Sequence, residues 1–260
     1  MTDAREFDLV LMGATGFTGQ LVAEHLLARH GVGGDLRWAL AGRSVAKLEK
    51  VRANLGDGAT DLPLIVADSH DRASLDALAQ RTTLVLTTVG PYALHGEELV
   101  AACAAAGTDY CDLTGEVPFM RRMIDAHRAA AEASGARIVH CCGFDSIPSD
   151  LGVAVLQQAA KERFGGPLNR VGLRVKAAKG GLSGGTFASM LNIVEAARAD
   201  SDIARYLKNP YAICPPDRRD GPRQPYVNGP KLDETLDSWM APFIMAAINT
   251  RVVHRANALR

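Results

Sequence analysis

The chain has 260 residues, 47% of them hydrophobic and 22% charged, and its 29 basic and 29 acidic side chains leave no formal net charge. That length suits one full domain with a smaller partner, and the hydrophobic share excludes a disordered chain. The balanced charge carries no polyanion-binding signature, so no nucleic acid partner is expected.

The N-terminal MTDAREFD lacks the apolar core of a signal peptide, and no apolar run approaches the roughly 18 residues a membrane span requires. The apolar stretch 239–248 is too short, contains Pro242 and reads as buried core or interface. The five cysteines (Cys103, Cys111, Cys141, Cys142 and Cys214) form no C-x-x-C pair, which predicts reduced thiols. A cytoplasmic protein is expected, with peripheral membrane association and oligomerisation left open.

Short apolar runs alternate with helical patterns over the first half. The runs are 8–12 (DLVLM), 36–41 (LRWALA), 62–67 (LPLIVA), 83–89 (TLVLTTV), 109–113 (DYCDL) and 136–141 (ARIVHC). Several lack polar alternation, as expected of parallel strands covered on both faces. Helical patterns lie at 16–30, 45–55, 72–81, 96–106 and 117–134, with Gly31, Gly56, Gly107 and Gly135 placed to end helices. Strand–helix alternation with short connections predicts an α/β Rossmann-type, doubly wound parallel sheet.

The character changes after Cys142. The turn-rich GFDSIPSD (143–150) leads to a helical run at 150–164, an alternating strand-like run at 171–178 and a glycine-rich segment at 180–185. A helix at 186–199 and a loop at 206–230 follow. The expected division is a cofactor domain at 1–148 and a smaller α/β substrate or dimerisation domain at 149–260.

The densest chemical signal is Gly13-Ala14-Thr15-Gly16-Phe17-Thr18-Gly19, directly after the first strand. A lone glycine triplet is weak, but a strand-to-helix junction in the first βαβ unit is the context that gives it meaning. Gly13 permits the turn, Gly16 admits a pyrophosphate and Gly19 lets the helix pack on the sheet, while free N–H groups attract phosphate. The second strand ends in Ala41-Gly42-Arg43-Ser44, and no acid occurs from Leu36 to Ser44 to hold a ribose hydroxyl. Arg43 suits a 2′-phosphate, with Ser44 and Lys47 assisting, so NADPH is the expected cofactor.

Asp68 ends the third strand, where meeting the adenine edge and capping the next helix are equal readings. Thr88, Val89, Gly90 and Pro91 end the fourth strand and are expected to line the hydride-transfer site. Candidate proton donors and site carboxylates are Tyr92, His95, Tyr110, Cys111, Asp112, Thr114, Glu116 and Asp145. Tyr92, Tyr110 and Asp112 are the catalytic candidates, against structural readings as backbone-bonded or capping groups. No Tyr-x-x-x-Lys occurs, which excludes the short-chain dehydrogenase pair, and the seven scattered histidines offer no metal motif.

GATGFTG, AGRS, TTVGPYALHG, GTDYCDLTGE and CCGFDSIPSDLG, in this order and spacing, resemble the saccharopine dehydrogenase-like oxidoreductases, and within them the trans-acting enoyl reductases. KAAKGGLSGGTFASML and WMAPFIMAAINTRVVHRANAL extend the resemblance through the chain. It implies NADPH-dependent reduction of an enoyl thioester carried by a polyketide synthase, in lipid and glycolipid synthesis. Relatives continue past the position of Arg260, so a shortened second domain is expected. A saccharopine-type amino-acid dehydrogenase and a non-catalytic nucleotide-binding protein are the alternatives.

Overall fold

The computed structural model describes residues 5–177, 179, 184–225 and 227–260. These group into two compact units, one reaching Cys142 and including Gly184–Ile193, the other running from Gly143 and including Val194–Arg260.

The first unit is a six-stranded parallel sheet of β1 (Phe7–Met12), β2 (Trp38–Gly42), β3 (Leu64–Val66), β4 (Thr82–Thr87), β5 (Asp109–Asp112) and β6 (Ile138–Val139). The strand order is β3-β2-β1-β4-β5-β6, the doubly wound arrangement expected from the apolar runs. The helices are α1 (Phe17–His30), α2 (Val45–Asn54), α3 (Arg72–Arg81), the short α4 (Tyr92–His95), α5 (Glu97–Ala106) and α6 (Val117–Ser134). Order reverses between β1 and β4, so right-handed crossovers put α1 and α2 on one face and α5 and α6 on the other.

Under α1 and α2 the core is Leu9, Leu11, Ala23, Leu26, Trp38, Leu40, Leu48 and Leu62. Each buried leucine contributes about 1.5–3 kcal/mol through the water-accessible surface it removes. The Trp38 indole donates to Gly31 O at 2.8 Å, so its polar edge is not stranded. Gly107 shows why a glycine ends α5: its φ is +67°, and a Cβ there would lie 2.9 Å from Ser134 O. At the amino edge of the sheet Arg5 bonds Thr82 O (3.1 Å), Ala106 O (2.7 Å) and Thr108 Oγ1 (2.7 Å), knitting β4 to α5.

Two strands, β4 and β6, stop two residues before their apolar runs do. After Thr87 the chain leaves the ladder, with Val89 N donating to the Thr87 hydroxyl at 3.3 Å. After Val139, β6 stops because Cys141 adopts a left-handed φ of 63°.

The second unit contains α7 (Ile147–Phe164), α9 (Ser201–Tyr206) and α10 (Ala246–Leu259), and a hairpin of β7 (Lys231–Asp233) and β8 (Ser238–Met240). The helix α8 (Gly184–Ala199) begins in the part grouped with the sheet. Asn249 on α10 joins α7 through Ser146 Oγ (3.0 Å) and Ser149 Oγ (3.1 Å). The strand expected at 171–178 is not formed over 171–177, because alternation alone makes no strand without a ladder partner; Ala178 lies outside the described residues. Residues 180–183 of the glycine-rich segment also lie outside them.

The stretch read as buried core or interface is divided at Pro242 and is not buried core throughout. β8 ends at Met240 and α10 begins at Ala246, leaving Trp239 73% and Ile244 63% exposed while Ile248 is buried. Among the described residues no helix is long and apolar enough to cross a membrane.

Candidate functional site

The glycine turn sits at the switch in strand order, where the ends of β1 and β4 meet. Gly13 N donates to Ala41 O at 3.0 Å, and Thr88 N donates to Met12 O at 3.0 Å. The Thr88 hydroxyl donates to Gly13 O at 3.2 Å, which locks the two loops together. Gly13 has φ +90°, and a Cβ on it would press to 2.7 Å from Val89 Cγ2. A Cβ on Gly19 would run into the Gly13 carbonyl and lie 2.9 Å from Ala14 Cα, so helix and turn touch backbone to backbone. Gly16 differs: a Cβ there meets only Gly13 O at 3.5 Å, an ordinary contact. Nothing inside the fold requires that glycine.

Gly16 begins α1 without a side-chain cap, and the first turn contains no acid. Its first N–H groups therefore face outward at the positive end of the helix dipole. Ala14 is buried beneath the turn, Thr15 O accepts from the Gln20 amide at 3.2 Å, Thr18 is half-buried, and Phe17 is exposed.

At the end of β2, Arg43 is exposed and makes no ion pair among the described residues. Ser44 caps α2 by accepting from Lys47 N at 3.5 Å, so its role as a cap stands beside its place near Arg43. Asp68 does not cap the next helix: Asp71 holds that position, accepting from Ala73 N at 3.1 Å. The Asp68 carboxylate accepts instead from His70 N at 3.0 Å. His70 then meets His95, the last residue of α4, with Nε2 and Nδ1 3.0 Å apart. Burial, followed by His70 and Arg43, holds the His95 imidazole below its usual pKa.

Beyond Thr88 and Val89, the Gly90–Pro91 bond is cis and α4 begins at Tyr92. Glu116, only 1% exposed, caps this short helix from a distance, accepting from Tyr92 N at 2.8 Å and Ala93 N at 2.9 Å. Ser189 on α8 also donates to it at 2.7 Å. Thus Glu116 caps α4 with its side chain, whereas its own helix, α6, gains Thr114 Oγ1 as an acceptor for Glu116 N at 3.1 Å. The Tyr92 hydroxyl is turned inward, donating to Thr87 O at 3.1 Å and accepting from Leu113 N at 3.4 Å. Burial raises its pKa well above the usual phenol range.

The third cluster surrounds Asp112, at the end of β5. Its Oδ1 accepts from Thr114 N (3.1 Å) and Cys141 N (3.0 Å), and its Oδ2 accepts from the Tyr110 hydroxyl (2.9 Å). His140 Nδ1 lies 2.6 Å from the same Oδ2. Tyr110 is fully buried, and desolvation followed by the Asp112 charge raises its pKa. The His140 ring stacks edge-on against Tyr110 and Phe119, and its Nε2 is buried without a partner. Nδ1 is thus the ring nitrogen held by Asp112, and Nε2 is the one without a partner among the described residues.

Tyr92, Tyr110 and Asp112 are therefore brought into one buried layer, while Asp145 belongs to the second unit. His140 was hidden in a run read only as a strand. Its signal is the register: Cys111 aligns with Val139, so the next pair is Asp112 and His140. His70 and Ser189 carried no such mark. Among the described residues, no three His, Cys, Asp or Glu side chains gather to hold a metal.

Residues 9–139 match the family described as the saccharopine dehydrogenase NADP binding domain. The chain belongs to that family. It is also 51% identical over 261 residues to a Mycobacterium tuberculosis protein carrying the trans-acting enoyl reductase name, covering 98% of this chain and 62% of that protein. The trans-acting enoyl reductase of Mycobacterium leprae is 45% identical over 265 residues, covering 99% and 63%. That of Mycobacterium bovis is 46% identical over 264 residues, covering 98% and 62%. The chain thus spans about 62% of the length of these relatives.

The residues present fit the cofactor of a saccharopine dehydrogenase NADP binding domain. The open space at Gly16 is what close approach of a pyrophosphate needs, and the uncapped start of α1 supplies donors for it. The exposed Arg43, at a strand end without an acid, suits the phosphate that distinguishes NADP from NAD.

Proposed function

We propose that this protein is an NADPH-dependent reductase of an enoyl thioester, acting on an acyl chain carried by a separate polyketide synthase in lipid and glycolipid synthesis. The observation that carries this reading is identity of 45–51% to proteins named trans-acting enoyl reductases, spread over 98–99% of the chain. Bound NADPH supplies the hydride for such a reduction. Gly13, Ala14, Thr15, Gly16, Phe17, Thr18 and Gly19 hold the diphosphate, and Arg43, Ser44 and Lys47 take the 2′-phosphate. Asp68 lies toward the adenine side, and Thr88, Val89, Gly90 and Pro91 border the nicotinamide.

His140 is assigned the proton for the α carbon. Its Nδ1 is tied to Asp112, and its Nε2 has no partner among the described residues. Tyr110 and Asp112 orient that ring, and Tyr92 joins the ends of β4 and β5. The second unit, expected to begin near residue 149, is the substrate or dimerisation domain in this reading. Any membrane association would be peripheral, through the lipid nature of the substrate.

The test follows NADPH oxidation with enoyl thioesters of increasing chain length, beside mixtures of a keto acid and an amino acid. Turnover of the thioesters alone supports the reading. Turnover of the keto acid mixture makes the protein an amino-acid dehydrogenase, and tight NADPH binding without turnover makes it a nucleotide-binding protein.

A further inference from the structure

Two thiols meet at the carboxyl edge of β5 and β6 on the side away from Asp112. Strand alternation puts Cys111 on the opposite face from Tyr110 and Asp112, both of which are buried. Cys111 is in register with Val139, and the Cys142 thiol donates to Val139 O at 3.5 Å. Cys142 N also donates to Asp112 O at 2.7 Å, fixing its backbone beside β5. The left-handed φ of 63° at Cys141 breaks the strand alternation between them. As a result the Cys141 sulfur points into the core, against Thr114 O at 2.9 Å and Met120 Sδ at 3.3 Å. The Cys142 sulfur turns out beside Val139, the strand partner of Cys111.

We propose that Cys142 and Cys111 form a redox-modification site for hydroperoxides, with Cys142 as the attacking thiolate and Cys111 as the resolving thiol. The Cys142 sulfur takes the terminal oxygen of the peroxide. The O–O bond breaks, the oxidant leaves as water or an alcohol after protonation, and Cys142 becomes a sulfenic acid. The Cys111 sulfur then forms the S–S bond, its proton leaving with the sulfenic hydroxyl as water. Two electrons leave the dithiol and reduce one peroxide.

Exposure and the neighbouring thiol both select this pair. Cys142 is exposed and Cys111 half-buried, whereas Cys103, Cys141 and Cys214 are all buried. The Cys111 thiol holds Cys142 below the usual cysteine pKa, while burial pushes Cys103 up to about 12. A thiolate on the surface beside a second thiol is the arrangement that reacts and then resolves. None of this rests on the cofactor reading.

The experiment treats the folded, reduced chain with a small excess of hydrogen peroxide, alkylates the remaining thiols and maps the peptides. The expected product links the Cys111 and Cys142 peptides, with Cys103, Cys141 and Cys214 still alkylated, and a dithiol reductant reverses it. In Cys111→Ser the link is lost and Cys142 is trapped by a sulfenic-acid reagent. Before oxidation, Cys142 should react with a maleimide at least about tenfold faster than Cys103. A bond between Cys141 and Cys142, or peroxide that leaves both surface thiols free in the unmodified protein, would overturn the proposal.

Discussion

His140 Nδ1 lies 2.6 Å from Asp112 Oδ2, a contact that joins the ends of β5 and β6 inside the core. Asp112 also receives the Tyr110 hydroxyl and the N–H groups of Thr114 and Cys141. Removing the carboxylate would strand these donors in a layer where Asp112 is 1% exposed. Asp112→Ala should therefore destabilise the domain by about 3 kcal/mol or more, since each buried unpaired group costs roughly 1–3 kcal/mol. Denaturant unfolding measures it; a loss within experimental error would mean that the network does not hold the sheet edge.

The three glycines of the turn should separate by phenotype. Gly13→Ala meets both a φ of +90° and the Val89 side chain, so it should cost about 1–3 kcal/mol of stability. Gly16→Ala meets only an ordinary contact with Gly13 O. Its unfolding midpoint should stay near the parent's, while its NADPH affinity falls at least about tenfold because the methyl occupies the ligand's side of the turn. Calorimetry with each variant checks both halves. Unchanged NADPH binding in a folded Gly16→Ala protein would move the diphosphate elsewhere.

Arg43 is exposed and unpaired among the described residues, so Arg43→Ala should leave stability alone. Losing a charge-assisted contact with the 2′-phosphate should weaken NADPH by about 10–100-fold, with NADH affected less than about twofold. Equal losses for both nucleotides would place the guanidinium against a part they share.

The sheet was legible because its strands are buried on both faces and carry continuous apolar runs, bounded by turn residues. The phosphate turn was legible because its chemistry is local: three glycines and a strand-to-helix junction lie within seven residues. The Asp112 cluster was only half legible. Tyr110 and Asp112 stand in one motif, but His140 joins them through strand register, a relation between segments 28 residues apart. Asp68 was ambiguous for a similar reason, since Asp71 stands one turn further on and is the residue that caps α3. The run at 171–177 failed as a strand because ladder partners lie elsewhere in the chain and leave no trace in local alternation.

His95 makes a pH dependence. Its folded pKa lies below the usual value of 6.5, first through burial and then through His70 and Arg43, with Asp68 and Glu116 opposing. The unfolded chain therefore takes up the proton more readily than the folded one. The stabilisation is present above about pH 6.5 and is lost as pH falls through that value toward the lowered folded pKa. The thermal midpoint should drop between about pH 7.5 and 5.5, and His95→Gln should flatten that part of the curve. An identical slope in the variant would assign the effect to other groups.

The sharpest test of the proton assignment compares His140 with the two tyrosines. The Tyr92 and Tyr110 hydroxyls are already bonded inside the domain and have raised pKa values, so neither is poised to release a proton. His140→Gln should lower kcat for enoyl thioester reduction by about a hundredfold or more, the usual scale for a lost general acid. NADPH affinity should remain. Tyr92→Phe keeps the ring packing and loses only the link from Thr87 to Leu113, so its kcat should fall less than about tenfold. If Tyr92→Phe or Tyr110→Phe proved as damaging as His140→Gln, the proton would pass through a phenol and not through the imidazole held by Asp112.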